Sequence, residues 1–580
     1  MIARLRTVRV WTAGDLRGPE NGLGARGPVL ACAVGMFKFR RSFAWMAIAA
    51  VFVLSGPDMM SAGGADVVTY HNDVARTGRN LNETTLAPAT VNATNFGKQT
   101  FFNTDGKVDA QPLHLSGVSI PGLGARNVIY VATEHDSVYA FDTASGATLW
   151  SVSLLGAGET TSDARGCSQV TPEIGITSTP VIDRTRGPNG AIYVIAMSKT
   201  SAGGYVQRLH ALDVVLGTEL FGGPQTVQAT YPGSGAGSSG GVVPFDPKQY
   251  EERAGLLEVN GRIVTVWTSH CDIDPYTGWV MAFDPATLAG TAVLNLTPNG
   301  SRGGLWMAGA GPAADPLGNV YVLDGNGTFD TTLNGAGFPG SGDFGNAFIK
   351  LATAGGLSVA DYFATFDTVS ASNADTDLGS GGAMVFPDLV DVNGVTRHLA
   401  VGAGKDGHIY VVDRDAMGKW NASANQNYQD IAGALGGSVF SMPAYFSNTL
   451  YYGASGAKLK AFPIVNARVG ATASSSTAVS FAYPGTTPGV SASGSVNAIV
   501  WAVENKNPAV LHAYDAANLA LELYNSTQAA GGRDGFGAGN KFITPTIVNG
   551  HVYVGTPTGV AAFGMLNSVP SAPTNLRIIR

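Results

Sequence analysis

The sequence predicts an all-β fold, an eight-bladed β-propeller of four-stranded antiparallel blades, with seven blades as the alternative count. Three observations lead to this prediction: a glycine-rich and charge-poor composition, a repeated pair of strands, and strands that alternate between apolar and polar residues. One such unit cannot bury both faces of its sheet alone, so neighbouring units must stack. Closing the stack radially removes most exposed strand edges, which is the architecture of a propeller.

The composition excludes several classes of protein. The 580-residue chain contains 77 glycines and 29 prolines, and only 13% of its residues are charged, against about 25% in ordinary soluble domains. Frequent glycine disfavours long helices and favours short strands joined by tight turns. Hydrophobic residues make up 45% of the chain, which supplies a large core and excludes general disorder. The net charge of −7 offers no electrostatic footprint for nucleic acid, so we expect no nucleic-acid partner.

Residues 1–65 are predicted to be a leader, with the secretory signal proper at about 36–65. A basic stretch at Met36–Arg41, the uncharged run Phe43–Leu54 and the small residues Ser61–Ala65 follow one another in the order of such a signal. The uncharged run is shorter than the roughly 20 helical residues that span a bilayer, although a membrane anchor remains the alternative. We therefore expect an exported protein, periplasmic or extracellular at the cell surface, with no transmembrane helix in the mature chain.

A repeat organises residues 66–565, which we assign to the propeller. Residues 128–150 read as a strand, a polar turn, a second strand ending in Phe-Asp, and a turn closing on Leu-Trp. Self-similarity of this kind predicts repeated supersecondary units, and alternation in Val138–Asp142 places apolar side chains on one face. Eight copies occur at intervals of 49 to 79 residues, with equivalent positions at Tyr130, Tyr193, Val264, Tyr321, Ala400, Tyr451, Val500 and Tyr553.

The segments that flank the repeats carry weaker signals. We expect Val67–Tyr70 to form a strand that closes the ring beside the last repeat. Two polar clusters have an alternative role, which is to line the mouth of the central channel: His71–Arg76 and Glu134–Asp136. Residues 566–580 resemble the entry to a fibronectin type III-like module, but they are far fewer than the roughly 100 residues of that sandwich. We interpret them as a linker stub.

The motif Val138-Tyr-x-x-Asp-x-x-x-Gly-x-x-Leu-Trp150 resembles the repeat of pyrroloquinoline quinone (PQQ) propellers, the quinoprotein alcohol dehydrogenase-like superfamily. The resemblance covers about residues 66–565. It implies the propeller fold, with PQQ and Ca²⁺ as cofactors and oxidation as the activity. It is less specific for activity than for fold, because the same fold includes non-catalytic scaffolds such as the outer-membrane assembly propeller.

In the dehydrogenases of this superfamily, the quinone lies on a tryptophan, next to Ca²⁺, with an aspartate as base. Trp306, at the end of Gly303-Gly-Leu-Trp306, resembles the stacking tryptophan, since an indole face suits a planar quinone. The alternative is that Trp306 only packs in the hydrophobic core. Asn326, in Asp324-Gly-Asn-Gly327, resembles the residue that gives Ca²⁺ an amide oxygen. An ordinary Asn-Gly turn is the alternative there.

Two further segments carry candidate site residues. Asp375 and Asp377 lie where the dehydrogenases hold the base and a Ca²⁺ ligand, which implies catalytic roles for both and a metal role for Asp377. Two close carboxylates either bind a cation or separate their pKa values for proton transfer, and a solvated acidic loop is the alternative. Lys405, in Gly404–Arg414, resembles the basic residue that contacts the quinone as a point charge.

The chain departs from the family at three points. The family's adjacent, joined cysteines are replaced by Cys167 alone, and the expected Glu ligand of the third repeat is absent, with Asp272 as a shorter substitute. No Cys-x-x-Cys-His motif occurs, so we expect no covalent haem. Export predicts a disulfide between Cys167 and Cys271, with two free thiols as the alternative. A thiophilic metal site at His270 and Cys271 is a weaker alternative.

Two functions remain open from the sequence. The first is a quinone-dependent oxidoreductase acting on alcohols or sugars, with a small-molecule or glycan ligand in the central channel. The second is a non-catalytic propeller that binds a protein partner during assembly, or a polysaccharide at the cell surface. The motif residues in their family order favour the first, whereas the departures favour the second.

Overall fold

A computed structural model describes residues 64–566, and it is nearly all β, with 3% helix. Eight small antiparallel sheets form the blades of a propeller, which confirms the predicted fold class and the count of eight. The predicted leader before Gly64 and the predicted stub after Leu566 lie outside the described residues. Within the described part of the chain, no helix is long and apolar enough to cross a membrane.

The blades follow one another along the chain, and in each of the first seven the four strands run in sequence order from the axis outward. Blade 1 consists of Leu113–Ile120, Gly124–Ala132, Ser137–Asp142 and Thr148–Ser153. Blade 2 consists of Val181–Asp183, Ala191–Lys199, Tyr205–Asp213 and Gln225–Thr226. Blade 3 consists of Leu257–Val259, Arg262–Ser269, Trp279–Phe283 and Gly290–Asn295. Blade 4 consists of Ala313–Ala314, Val320–Leu323, Phe348–Ala352 and Ser358–Phe363.

The remaining blades repeat this plan, except that blade 8 takes its outermost strand from the N-terminal side of the chain. Blade 5 consists of Met384–Val385, Leu399–Gly402, Ile409–Asp413 and Gln429–Ile431. Blade 6 consists of Ala444–Phe446, Thr449–Gly453, Ala457–Val465 and Ser475–Phe481. Blade 7 consists of Gly489–Ser493, Val496–Glu504, Val510–Asp515 and Glu522–Asn525. Blade 8 consists of Thr546–Val548, His551–Thr556, Gly559–Met565 and Phe96–Asn103.

Short elements decorate the blades. The helical ones are Thr368–Asn373 (α) and Met307–Gly309, Leu378–Ser380 and Ala530–Gly532 (3₁₀). The short strands are Arg79–Asn80, Thr160–Asp163, Glu173–Ile174, Thr230–Pro232, Val242–Pro244, Tyr250–Glu251, Leu389–Val390, Thr396–Arg397 and Arg468–Val469.

Three of the five tyrosines at the repeated position join their blade to the next one. All eight equivalent positions of the repeat lie in the second strand of their blade, and Tyr130 pairs with Leu113 of the inner strand. The Tyr130 hydroxyl donates to the carbonyl oxygen of Val214 in blade 2 at 3.0 Å, and the Trp150 indole N–H donates to the same oxygen at 3.1 Å. The residues that make the repeat recognisable are therefore contacts between blades.

The hydrophobic core lies between neighbouring blades. One cluster joins Tyr193 and Leu209 of blade 2 to Trp267 and Trp279 of blade 3, and all four side chains are fully buried. The Trp267 indole N–H donates to Gln207 Oε1 in blade 2 at 2.8 Å. A single blade lacks these partners, which is why the units must stack.

The ring closes differently from the prediction. Phe96–Asn103 pairs antiparallel with Gly559–Met565, so an N-terminal strand completes the last blade. The prediction that Val67–Tyr70 is the closing strand is wrong, because Val67 instead bridges His114 of the inner strand of blade 1. Both segments are apolar enough to form strands, and only contacts with the distant C-terminal strands choose between them.

Residues 67–82, which we call the axial segment, run round one end of the propeller axis. The segment makes a hydrogen bond to the inner edge of every blade, with distances between 2.7 and 3.1 Å. In blade order, the pairs are Val67–His114, Val68–Ile182, Arg76–Leu256, Val74–Ala314, Ala75–Val385, Thr77–Tyr445, Gly78–Val490 and Asn80–Ile547. This segment fills the axis at that end.

The Arg76 side chain links the axial segment to two blades through hydrogen bonds. It is fully buried, and its guanidinium donates to the carbonyl oxygens of Pro312, Leu256 and Tyr70 and to the Thr69 hydroxyl at 2.7 to 3.1 Å. The acceptors come from two blades and from the segment itself. Backbone and hydroxyl dipoles thus solvate a buried charge that has no carboxylate in contact.

We predict that Arg76→Ala strongly destabilises the protein, because it leaves four buried acceptors without a donor and opens a cavity on the axis. The expected loss in the free energy of unfolding is about 3–5 kcal/mol, measured by urea unfolding. Lys458→Ala, at an exposed lysine on blade 6, is the matched control and should change stability by less than about 0.5 kcal/mol. Equal effects of the two variants would contradict a stabilising role for the axial segment.

Candidate functional site

A cavity of about 360 Å³ lies where two sets of loops meet on the axis. One set leads into the inner strands, and the other joins the second strand of a blade to its third. We call this the axial cavity. Its lining residues are Gln169, Arg253, Cys271, Asp272, Trp306, Ala308, Asn326, Asp375, Asp377, Ser380, Lys405, Phe440, Tyr483 and Phe542.

The structure brings the predicted site residues together in this cavity. Trp306 precedes the inner strand of blade 4 and is half-buried, and Asn326 follows the second strand of the same blade. Asp375 and Asp377 lie in the connection from blade 4 to blade 5, and Lys405 follows the second strand of blade 5. Residues spread over a hundred positions of sequence therefore share one space.

Lys405 links the two aspartates. Its Nζ forms ion pairs with Asp375 Oδ1 and, at 2.7 Å, with Asp377 Oδ1. Its backbone N–H donates to the Asp377 carbonyl oxygen at 2.9 Å. Asn326 Nδ2 donates to Asp375 Oδ1 at 2.6 Å. The Asp377 side chain is 2% exposed and that of Asp375 is 67% exposed, so Asp377 is fixed in the floor while Asp375 reaches the opening.

Burial and neighbouring charges shift the pKa values of the acidic and basic side chains in and beside the cavity. Burial raises the pKa of Asp377, and the attraction of Lys405 opposes that rise. Burial alone would lower the pKa of Lys405, but Asp377 and Asp375 outweigh it and the pKa of the lysine is raised. Asp324, which makes no side-chain hydrogen bond, has its pKa raised well above the usual range by burial. The lysine is therefore charged at neutral pH.

The oxygens of the site form a partial set of ligands for a cation. Asn326 Oδ1 is buried and accepts no hydrogen bond, which leaves it free as a ligand. Asp272 Oδ1 accepts a hydrogen bond from the Tyr276 hydroxyl at 2.5 Å. No group of three or more His, Cys, Asp and Glu side chains is placed to hold a metal ion anywhere in residues 64–566. A hard cation takes about six to eight oxygens, so most of its ligands would have to come from a bound molecule or water.

The predicted disulfide between Cys167 and Cys271 is confirmed. It connects the loop between blades 1 and 2 to a loop of blade 3, with Cα atoms 5.4 Å apart, and Cys271 lines the axial cavity. The alternative of two free thiols is wrong. A metal site at His270 and Cys271 is excluded as well, since the sulfur is already bonded.

Several residues round the cavity have strained backbone angles. Six residues other than glycine in or beside its wall adopt left-handed φ angles of 41° to 64°: Cys271, Asp272, Met307, Ala308, Asp375 and Phe542. Each such residue costs roughly 1–2 kcal/mol. Strain of this kind collects at functional sites, where the surrounding structure holds it in place.

One wall of the cavity consists of residues that were not predicted from the sequence. The rings of Phe440, Tyr483 and Phe542 form a chain with centroids 5.2 and 6.1 Å apart, and Arg253 lies 4.2 Å above Phe542. Phe440 and Phe542 each stand three residues before a proline that opens an inner strand, which is a signal the sequence contains. Arg253 ends the charged run Glu251-Glu-Arg253, and nothing in that run distinguishes it from a solvated turn.

Solved structures share this architecture. The quinohemoprotein alcohol dehydrogenase from Comamonas testosteroni is 14% identical, with a TM-score of 0.57 over 87% of this chain and 82% of that one. A quinohemoprotein alcohol dehydrogenase from Pseudomonas putida HK5 has the same identity and TM-score, over 88% and 82%. A europium-containing methanol dehydrogenase is 12% identical, with a TM-score of 0.53 over 87% and 98%.

The chain has the fold of these dehydrogenases. At this identity the likeness shows the fold alone. No protein-family model and no curated protein sequence matches the chain.

We predict that replacing both cysteines, Cys167→Ser with Cys271→Ser, lowers the thermal unfolding midpoint, because the bond closes a loop of 104 residues. The chain-entropy contribution of such a loop is up to about 4–5 kcal/mol. Each single variant loses the same bond, so the three variants should unfold within a few degrees of one another. Losses that add from the single variants to the double variant would contradict a stabilising disulfide.

Proposed function

We propose that this chain is an exported quinone-dependent oxidoreductase acting on alcohols or sugars, with a PQQ-type quinone bound in the axial cavity. One observation carries the proposal: Trp306, Asn326, Asp377 and Lys405 line the same cavity. The fold of the quinohemoprotein alcohol dehydrogenases supports it.

The cavity has the properties that a flat, polar ring system needs. Its volume of about 360 Å³ falls in the usual range of roughly 300–1,000 Å³ for ligand sites. Trp306 offers a partly exposed indole face for stacking, and Lys405 offers a charged donor for a carbonyl or carboxylate oxygen. Asn326 Oδ1 and the Asp377 carboxylate would hold a Ca²⁺ ion together with oxygens of the ligand.

A bound quinone would supply an acceptor for two electrons from the substrate, and a cation held beside it would polarise its carbonyl groups. The proton of the substrate hydroxyl group passes to a side chain of the protein. Asp375 is the exposed carboxylate of the pair, and Asn326 and Lys405 both hold its Oδ1. Its other oxygen is therefore available to take the proton of a substrate hydroxyl. Asp377, buried beneath, keeps Lys405 in position through the 2.7 Å ion pair.

A non-catalytic binding propeller is the second candidate. It is favoured by Asp272, where the family supplies a Glu, since its Oδ1 is engaged by Tyr276. Under this alternative, the same cavity or the surrounding face binds a protein partner or a polysaccharide, in the periplasm or at the cell surface.

The two candidates are separated by adding PQQ and Ca²⁺ to the purified chain. We expect bound-quinone absorbance, quenching of tryptophan fluorescence, and reduction of an artificial dye by a panel of alcohols and sugars. Asp375→Asn should lower dye reduction by about 10²–10⁴-fold while quinone binding is retained, because it removes the proton-accepting charge and keeps an oxygen that Lys405 and Asn326 can contact. Trp306→Ala should weaken quinone binding itself.

Asp388→Asn is the matched control, since this aspartate is also exposed, at 63%, and lies outside the cavity lining. Its dye reduction should equal that of the wild type. Absence of both quinone absorbance and dye reduction across the panel would overturn the oxidoreductase and leave the binding propeller.

A further inference from the structure

Arg253 is a buried cation that forms no ion pair with any of the residues that the structure describes. Its side chain lines the axial cavity and the residue is 4% exposed. Within residues 64–566, none of its guanidinium nitrogens makes a hydrogen bond or an ion pair. Arg76, the other deeply buried arginine of the axis, has its donors taken up by carbonyl and hydroxyl oxygens. A buried charge that lacks such partners is costly, so Arg253 requires an acceptor from outside the chain.

The surroundings hold Arg253 in place without neutralising it. Its Cζ lies 4.2 Å from the centroid of the Phe542 ring and 5.9 Å from that of Trp306. Aromatic faces stabilise a guanidinium but leave its N–H groups free. Glu251, two residues earlier, makes no ion pair with Arg253, although the charge of Arg253 opposes the rise that burial causes in the pKa of Glu251. The free donors of Arg253 are therefore fixed at the cavity wall.

A second cation stands beside Arg253. Lys541 lines a small adjoining cavity that Arg253 and Phe542 also line. Its Nζ donates to the Ser168 carbonyl oxygen at 3.0 Å and makes no ion pair with a carboxylate in the described part of the chain. Burial lowers the pKa of Lys541, and the positive charge of Arg253 lowers it further. Asp109 also lines that small cavity, but it forms an ion pair with Lys107 at 2.8 Å, so Arg253 and Lys541 remain without an ion pair of their own among the described residues.

The opposite half of the cavity carries the three carboxylates Asp272, Asp375 and Asp377, with Lys405 among them. Lys405 is already paired with two of these carboxylates, so an anionic group of a ligand is attracted more strongly to the unpaired Arg253. The planar guanidinium fork matches a carboxylate in two parallel hydrogen bonds. The aromatic wall between the two halves suits an organic body that joins the anionic group to a hydroxyl group.

We propose that Arg253, with Lys541 beside it, binds a substrate carboxylate, so that the substrate is a hydroxy acid rather than a neutral alcohol or sugar. The oxidation of that hydroxyl group rests on the proposed function, whereas the binding of the carboxylate does not. A carboxylate of the bound quinone has the same chemistry and is the other source, which the test distinguishes. A neutral alcohol would leave Arg253 buried and unpaired, and this difference gives the selectivity.

The test compares mandelate with 1-phenylethane-1,2-diol, which differs only by a hydroxymethyl group in place of the carboxylate. Calorimetric titration of the purified chain without quinone should give mandelate an affinity at least about 30-fold higher than that of the diol. Arg253→Gln should remove that difference while leaving diol binding unchanged. Arg253→Lys should retain part of it, and Lys458→Ala, outside the cavity, should retain all of it.

Thermal unfolding separates a ligand site from a structural role. Arg253→Gln should unfold no lower than the wild type, because it removes an uncompensated buried charge rather than a bonded one. Mandelate should raise the unfolding midpoint of the wild type and not that of Arg253→Gln. A lower midpoint for Arg253→Gln, with mandelate binding unaffected, would overturn the proposal in favour of a structural arginine.

PQQ titration is the second arm. If Arg253→Gln weakens PQQ binding at least about 30-fold and mandelate does not bind the wild type, the carboxylate belongs to the quinone and the hydroxy-acid substrate is overturned. If mandelate binds through Arg253 but PQQ neither binds nor supports dye reduction, the proposed oxidoreductase fails while the carboxylate site stands.

Discussion

The inner strand of every blade turns an unpaired edge toward the axis, and the structure depends on how those edges are satisfied. Buried backbone N–H and C=O groups without partners are costly, and eight such edges meet along one line. The axial segment, residues 67–82, contacts each edge in turn, and Arg76 adds donors to carbonyls of blades 3 and 4. One end of the axis is thereby filled with backbone, and space for a ligand remains where the loops of the axial cavity converge.

Because one end of the axis is filled, a ligand on the axis can bind only where the loops of the axial cavity converge. The residues of the axial cavity stand on loops anchored at both ends by strands, so their relative positions follow from the ring rather than from local sequence. Lys405 shows the effect, because it reaches Asp375 and Asp377 of the preceding connection through side-chain and backbone contacts together. The disulfide adds a covalent tie between two loops on the other side of the same cavity.

Contacts that the repeat or the pair of cysteines specifies were predictable from the sequence, and contacts that depend on closure of the ring were not. The positions equivalent to Tyr130 all fall in second strands, and at Tyr130, Tyr193 and Tyr451 the hydroxyl donates a hydrogen bond to the next blade. Trp306, Asn326, Asp377 and Lys405 share a cavity because their motifs mark fixed places in the repeat. Ring closure by Phe96–Asn103 instead depends on pairing with Gly559–Met565, more than 450 residues away. Arg253 was not predicted for a related reason. Its aromatic neighbours, Phe542 and Trp306, come close to it only when the ring is closed.

The strained backbone argues that the cavity is used and not merely left over from closure. This chain contains 77 glycines, and many of them occupy left-handed positions that a side chain resists. Glycine would remove the roughly 1–2 kcal/mol of strain at Asp375 or Phe542 as well. Those positions nevertheless carry a carboxylate held by Lys405 and a ring beneath Arg253. A side chain kept at the expense of stability in the wall of a cavity is the pattern of a site that binds, and it holds for either candidate function.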